Sequence, residues 1–381
     1  MNLLSKPRYS RLLISLLCVA LFGSVIGLIT FQLSFLSGAI PIHAIFALGI
    51  MPLIFSAMTW FTPVLTRTAA PGYPALAPPL LALTAGLILL YSLQFNYSIH
   101  SVSAVFALLG TILLSRWIWR RRRQTIGTPH PGLLWYRLAL AALGLGLIAI
   151  LFGRAWPQYW IPLKRVHLQL NTLGFVGLTA LGTLRVLLPT VGRFQDDSAA
   201  AWLHSQWKWL VSGTLLIAAG SAVSKELALL GAILWIPPVA TLVAHPLRTH
   251  RRKLFTLHGA SPALAGSIGG SLLMLAGGVS HTFFPLPAAA AIQVFVWAFL
   301  FPLVTGAATH LLPLWLYPDN QRAAAELARH MESLGGVRAL LFLLAGIIAL
   351  SRVEWSWAFA GVALLQFLIA TARGIFLPGN R

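Results

Sequence analysis

Apolar stretches of about twenty residues, following one another with scarcely a charge inside them, limit most strictly what this chain can fold into. The first runs from about Leu12 to Phe35, and others recur along the 381 residues. A helix crosses the hydrocarbon core of a bilayer with about 20 apolar residues. The stretches are continuous, without the in/out alternation of a lipid-facing barrel. Of all residues 58% are apolar and only 9% are charged, against roughly one-quarter charged in soluble domains. A water-soluble fold is therefore excluded, and the expectation is an all-α integral membrane protein forming a single membrane domain over 1–381.

Twelve transmembrane helices are predicted at roughly 12–34, 43–65, 77–96, 100–119, 135–153, 166–188, 207–223, 227–245, 259–279, 287–312, 336–351 and 354–373. The first follows Lys6, Arg8 and Arg11 as a signal peptide would. It is longer than a signal h-region and lacks a convincing cleavage site, so it reads as a retained helix. Residues 320–333 read as a short amphipathic helix at the cytoplasmic face.

The net charge of +20 comes from 27 Lys and Arg against 7 acids. In this topology only Arg154, Lys164, Arg165, Lys225 and Arg352 fall outside, leaving 22 of the 27 inside. That asymmetry places both termini in the cytoplasm and explains the charge without a nucleic-acid partner. The run Arg120 to Arg123 orients the chain and can also touch anionic lipid. Arg185 is expected to snorkel to the inner interface. The single cysteine, Cys18, excludes an intramolecular disulfide and reads as a small buried hydrophobe. The seven acids all fall in loops or at helix ends, which argues against a proton pump or an ion-coupled transporter.

Three segments resemble one another: IHAIFALGIMPLIFSAMTWFTPVL from Ile42, VHLQLNTLGFVGLTALGTLRVLLPTV from Val166, and IQVFVWAFLFPLVTGAATHLLPLW from Ile292. Their closing prolines, Pro63, Pro189 and Pro313, stand 126 and 124 residues apart. Seven positions earlier stand Ser56, Gly182 and Gly306, small residues that permit close helix approach. His43, His167 and Gln293 open the segments. The prolines are expected to end their helices at the inner interface. The pattern predicts three pseudo-threefold four-helix repeats, approximately 1–125, 126–254 and 255–381.

Twelve helices in three repeats, with a histidine at the outer end of the second helix and a Gly-x6-Pro ending below the sixth, resemble the heme-copper oxidase subunit I superfamily. The stretch HLQLNTLGFVGLTALGTLRVLLP from His167 to Pro189 carries most of the likeness. By that resemblance His43 corresponds to a low-spin heme ligand on the second helix, and His167 to a copper ligand on the sixth. The superfamily's oxidases also carry a histidine pair at the start of the seventh helix and a His-x-His on the tenth. Here only His204 lies near the seventh helix, at its opposite end, and Gln293 occupies the tenth. The chain is thus more similar to the non-oxidase, NnrS-type branch. That branch implies heme, copper, nitric-oxide-linked metabolism and the inner membrane of a prokaryotic cell, without oxygen reduction.

Neutral imidazole binds heme iron and copper, so His43 and His167 are the candidate cofactor and metal ligands. His281, before the tenth helix, is a candidate replacement for the ligand missing at Gln293. His100 reads as a loop residue. No catalytic residue is assigned. Two rival expectations are a cofactor-free scaffold or assembly partner of a respiratory protein, and a channel or carrier for a small neutral solute or gas. The bilayer is the partner implied by all three.

Overall fold

The computed structural model describes residues 7–31, 39–351 and 355–376. Lys6, Arg352, Glu354, Arg381 and the 32–34 end of the first expected helix lie outside the described residues. Among the described residues every regular element is helical. We number the helices α1 (Pro7–Thr30), α2 (Ala39–Thr66), α3 (Ala77–Phe95), α4 (His100–Arg123), α5 (Gly132–Ala155), α6 (Pro157–Gly192) and α7 (Ala199–Val223). There follow α8 (Lys225–Leu254), α9 (Ser261–Phe283), α10 (Ala288–Leu316), α11 (Gln321–Glu332), α12 (Gly335–Leu350) and α13 (Ser356–Phe376).

Ten described helices are long and apolar enough to cross a membrane, and α11 with α12, bent by 44°, counts as an eleventh if taken as one broken span. The chain is accordingly described as an integral membrane protein with a lipid bilayer around it. The remaining helix, α7, has 25 residues and so is about 37 Å long. His204, Gln206 and Lys208 make its first half too polar to qualify. The amphipathic segment expected over 320–333 is α11, which buries Ala324, Leu327 and Met331 and is capped by the Asn320 side chain accepting from Ala323 N–H.

The chain divides into two compact units, Met1–Thr179 with Thr214–Ser224, and Ala180–Gly213 with Lys225–Arg381. In the first, Phe55 of α2 meets Phe175 of α6 edge to face at 5.9 Å, and both rings are buried. Tyr9 of α1 donates its hydroxyl to the Ser56 carbonyl, 3.2 Å away.

Three helices change winding in mid-span. α2 is a π-helix over Ala44–Ile50, α6 over Leu170–Gly177 and α10 over Phe295–Leu300. At their ends Met51 N–H donates to Phe46, Leu178 N–H to Leu173 and Phe301 N–H to Val296, each to a carbonyl five residues back. In α2 and α10 the cause is written in the sequence. Pro52 and Pro302 lack the N–H that would bond four residues back, and their rings crowd that carbonyl. Widening the preceding turn passes the carbonyl on to the next donor, as a bilayer requires. α6 has no such proline; Gly174 and Gly177 lie within its wide segment.

A glycine on the preceding helix faces each π-segment. A Cβ on Gly23 would lie 2.4 Å from the Ala44 carbonyl oxygen, one on Gly146 2.8 Å from the Asn171 amide nitrogen, and one on Gly270 1.7 Å from the Ala298 carbonyl oxygen. At Gly23 and Gly270 the neighbour is backbone and the approach is too close for any side chain, whereas at Gly146 the Asn171 side chain would have to shift.

Several expectations change. Pro63, Pro189 and Pro313 lie inside their helices and do not end them. The last turn continues because a proline lacks only its own donor. The Pro63 and Pro189 carbonyls then accept from Thr68 and Phe194, with Arg67 and Arg193 in left-handed conformation between. α4 runs past its expected end at 119, with Arg120 to Arg123 as its last turn. Cys18 is exposed on α1, outside the packed core. Arg185 does not snorkel. It is buried in a salt bridge to Asp196, the two side chains being 2% and 1% exposed.

A candidate ligand site at two histidines

His43 and His167 stand just ahead of the wide segments of α2 and α6 and belong to the same compact unit. Both are half-buried. Gly27 lets α1 close over this part of α2, since a Cβ there would meet Ile45 at 2.4 Å and the Pro41 carbonyl oxygen at 3.1 Å. His43 Nδ1 lies 2.7 Å from the Ala39 carbonyl oxygen, and His167 Nδ1 lies 2.9 Å from the Gly146 carbonyl oxygen.

A carbonyl oxygen can only accept, so in both rings Nδ1 carries the proton. Asn171 Nδ2 gives one of its two hydrogens to the His167 carbonyl oxygen at 2.6 Å and lies 3.2 Å from His167 Nδ1, a longer contact than that of Nδ1 with the Gly146 carbonyl, which decides the tautomer. The tautomer is thereby fixed and Nε2 is left with the lone pair. Among the described residues neither Nε2 makes a hydrogen bond to the protein, so each lone pair is unspent.

Backbone anchoring of Nδ1 is the support that metal-bound histidines characteristically have. Two neutral nitrogen donors suit heme iron or copper and are too few for a closed structural zinc site. Among the described residues no group of three or more His, Cys, Asp and Glu side chains is arranged to hold a metal ion. His281 belongs to the other unit, where it is exposed and its Nδ1 donates to the Leu286 carbonyl at 2.8 Å. Gln293 is half-buried in that unit, just before the wide segment of α10.

His100 corrects a further expectation. It opens α4 where the expected span begins but is buried, 6% exposed, and leaves Nε2 without a hydrogen bond among the described residues. Its Nδ1 donates to Tyr97 at 2.6 Å, and its ring stacks on Tyr97 at 4.5 Å and meets Trp160 edge to face at 6.1 Å. The ring is thus held as an aromatic plate. Sequence reading also missed Gly146 as the carbonyl that orients His167. Its signal would have been its place 21 residues before the histidine, on the neighbouring helix.

No protein-family model matches the sequence and no curated protein matches it significantly.

Proposed function

We propose that this chain is a degenerate heme-copper-oxidase-like membrane protein that holds heme or copper through Nε2 of His43 and His167. It acts in respiratory, metal or nitric-oxide-linked metabolism without reducing oxygen. The observation that carries this reading is the orientation of the two rings: each Nδ1–H is directed at a backbone carbonyl, and among the described residues neither Nε2 is spent on a hydrogen bond to the protein. A metal held there would supply a binding position for a small diatomic molecule or an electron. The chain's own residues orient the two imidazoles and keep them neutral donors.

The finer architecture belongs to the same proposal: twelve spans in three four-helix repeats, with the histidine ends facing outward from a prokaryotic inner membrane. It is supported by the three π-segments and by the glycine facing each of them from the preceding helix. The test is an absorption spectrum with metal analysis of detergent-purified protein from a heme- and copper-replete host. A Soret band or stoichiometric copper is expected, diminished in His43→Ala and in His167→Ala and retained in His204→Ala. Colourless, metal-free protein would overturn the proposal in favour of a scaffold.

A further inference from the structure

The first compact unit contains none of the chain's seven carboxylates, yet carries thirteen Lys and Arg. Its countercharge therefore cannot come from its own side chains. At the junction of α4 and α5 several of them converge. The guanidinium of Arg137 lies 4.6 Å from the centroid of the Trp119 indole, that of Arg122 5.4 Å and that of Arg123 5.8 Å. Arg121 sits 5.2 Å from the Trp117 ring and donates to the Ala69 carbonyl at 3.0 Å, tying the α2–α3 loop to the cluster. Trp119 is 39% exposed.

One indole thus holds three guanidinium groups near one another. Cation–π attraction accounts for each singly, at about 0.5–1 kcal/mol where exposed. It does nothing for their mutual repulsion. A phosphate does: its oxygens match the guanidinium fork, and its charge offsets the excess. Arg122 and Arg123 end one apolar span and Arg137 begins the next, with an exposed tryptophan between them, which is headgroup depth. A basic pocket between two spans is a recurrent form of lipid headgroup site.

We propose that Trp119, Arg122, Arg123 and Arg137 form a binding site for the phosphate of an anionic phospholipid, whose acyl chains lie along α4 and α5. The site is independent of the two histidines. The test is to titrate delipidated protein in neutral detergent with phosphatidylglycerol, phosphatidylcholine or inorganic phosphate. Bound lipid is read by native mass spectrometry and the thermal midpoint by tryptophan emission.

Phosphatidylglycerol is expected to remain bound and raise the midpoint, and phosphatidylcholine and inorganic phosphate to do neither. Arg122→Gln, Arg123→Gln and Arg137→Gln should each weaken phosphatidylglycerol binding about fivefold. Trp119→Leu should weaken it and Trp119→Phe largely restore it. Arg248→Gln with Arg251→Gln removes two exposed charges elsewhere and should leave it unchanged. Equal loss in that control, or equal stabilisation by inorganic phosphate or by phosphatidylcholine, would overturn the proposal.

Discussion

Replacing Asp196 by Asn removes the only charge that balances Arg185 within its salt bridge. The Arg185 guanidinium makes two bonds to the Asp196 carboxylate, at 2.5 and 2.9 Å, and a third to the Ser198 hydroxyl at 2.6 Å. Its Nε has no partner, and it lies 5.9 Å from the Trp202 ring. With both side chains at 2% exposure or less, loss of one partner strands a buried charge, which costs about 3–5 kcal/mol. Asn keeps an acceptor oxygen and Ser198 stays in place, so Asp196→Asn should fall near 3 kcal/mol and Asp196→Ala near 5. Either is a large share of a total stability of about 5–15 kcal/mol.

The decisive variant is the double one. Arg185→Met with Asp196→Asn removes both charges and should lie within about 1 kcal/mol of the parent, because desolvating a buried pair nearly cancels its attraction. The four proteins form a cycle read by unfolding in mild detergent, with Trp202 as a local reporter. If Asp196→Asn costs less than about 0.5 kcal/mol, as an exposed ion pair would, water reaches the guanidinium and the burial argument is wrong.

The same carboxylate sets an acid limit. Burial alone would raise the Asp196 pKa, but bonding from Ser198 and the charge of Arg185 outweigh it and hold the group below its ordinary value. Its contribution should be complete above about pH 4 and vanish as pH falls through the lowered value. Thermal midpoints measured between pH 3 and 7 should show an acid step that Asp196→Asn abolishes. Gly270→Ala should destabilise by at least about 1–3 kcal/mol, since its Cβ would collide with the Ala298 carbonyl. Gly278→Ala, with nothing within 4 Å, should be neutral or slightly stabilising in the same unfolding assay. Arg338, fully buried, bonds the Met331 carbonyl, Thr309 and Gln366. Arg338→Lys keeps the charge but loses the fork. It should cost about 2–3 kcal/mol and expose the α11–α12 junction to proteolysis, and an unchanged digestion pattern would count against that role.

Hydropathy carried the spans because lipid imposes length and apolarity on each helix separately. It is weakest at α7, where Gln206 and Lys208 offset the apolar second half, whereas the expected division between 320–333 and 336–351 is the break at Ser333–Leu334, where Leu334 is left-handed. Arg185 was misread because its partner lies eleven residues away, beyond the helix end, and a charge near an interface looks the same in sequence whether it snorkels or pairs. The winding changes escaped a reading built on 3.6 residues per turn, although Pro52 and Pro302 stood inside the quoted segments. His43 and His167 could be selected from the repeat. The tautomer of His167 could not, because the Gly146 carbonyl comes from another helix, whereas His43 is anchored on Ala39 of its own helix.

The wide turns also separate each of these three helices into two independently phased halves. One extra residue in a turn rotates everything beyond it by about 100°, so no single helical wheel describes α2, α6 or α10. The half before the wide turn, which presents His43, His167 or Gln293, is uncoupled in angle from the half that carries Pro63, Pro189 or Pro313. The residue at one end can therefore differ, histidine at His43 and His167 and an amide at Gln293, without turning the buried face of the other.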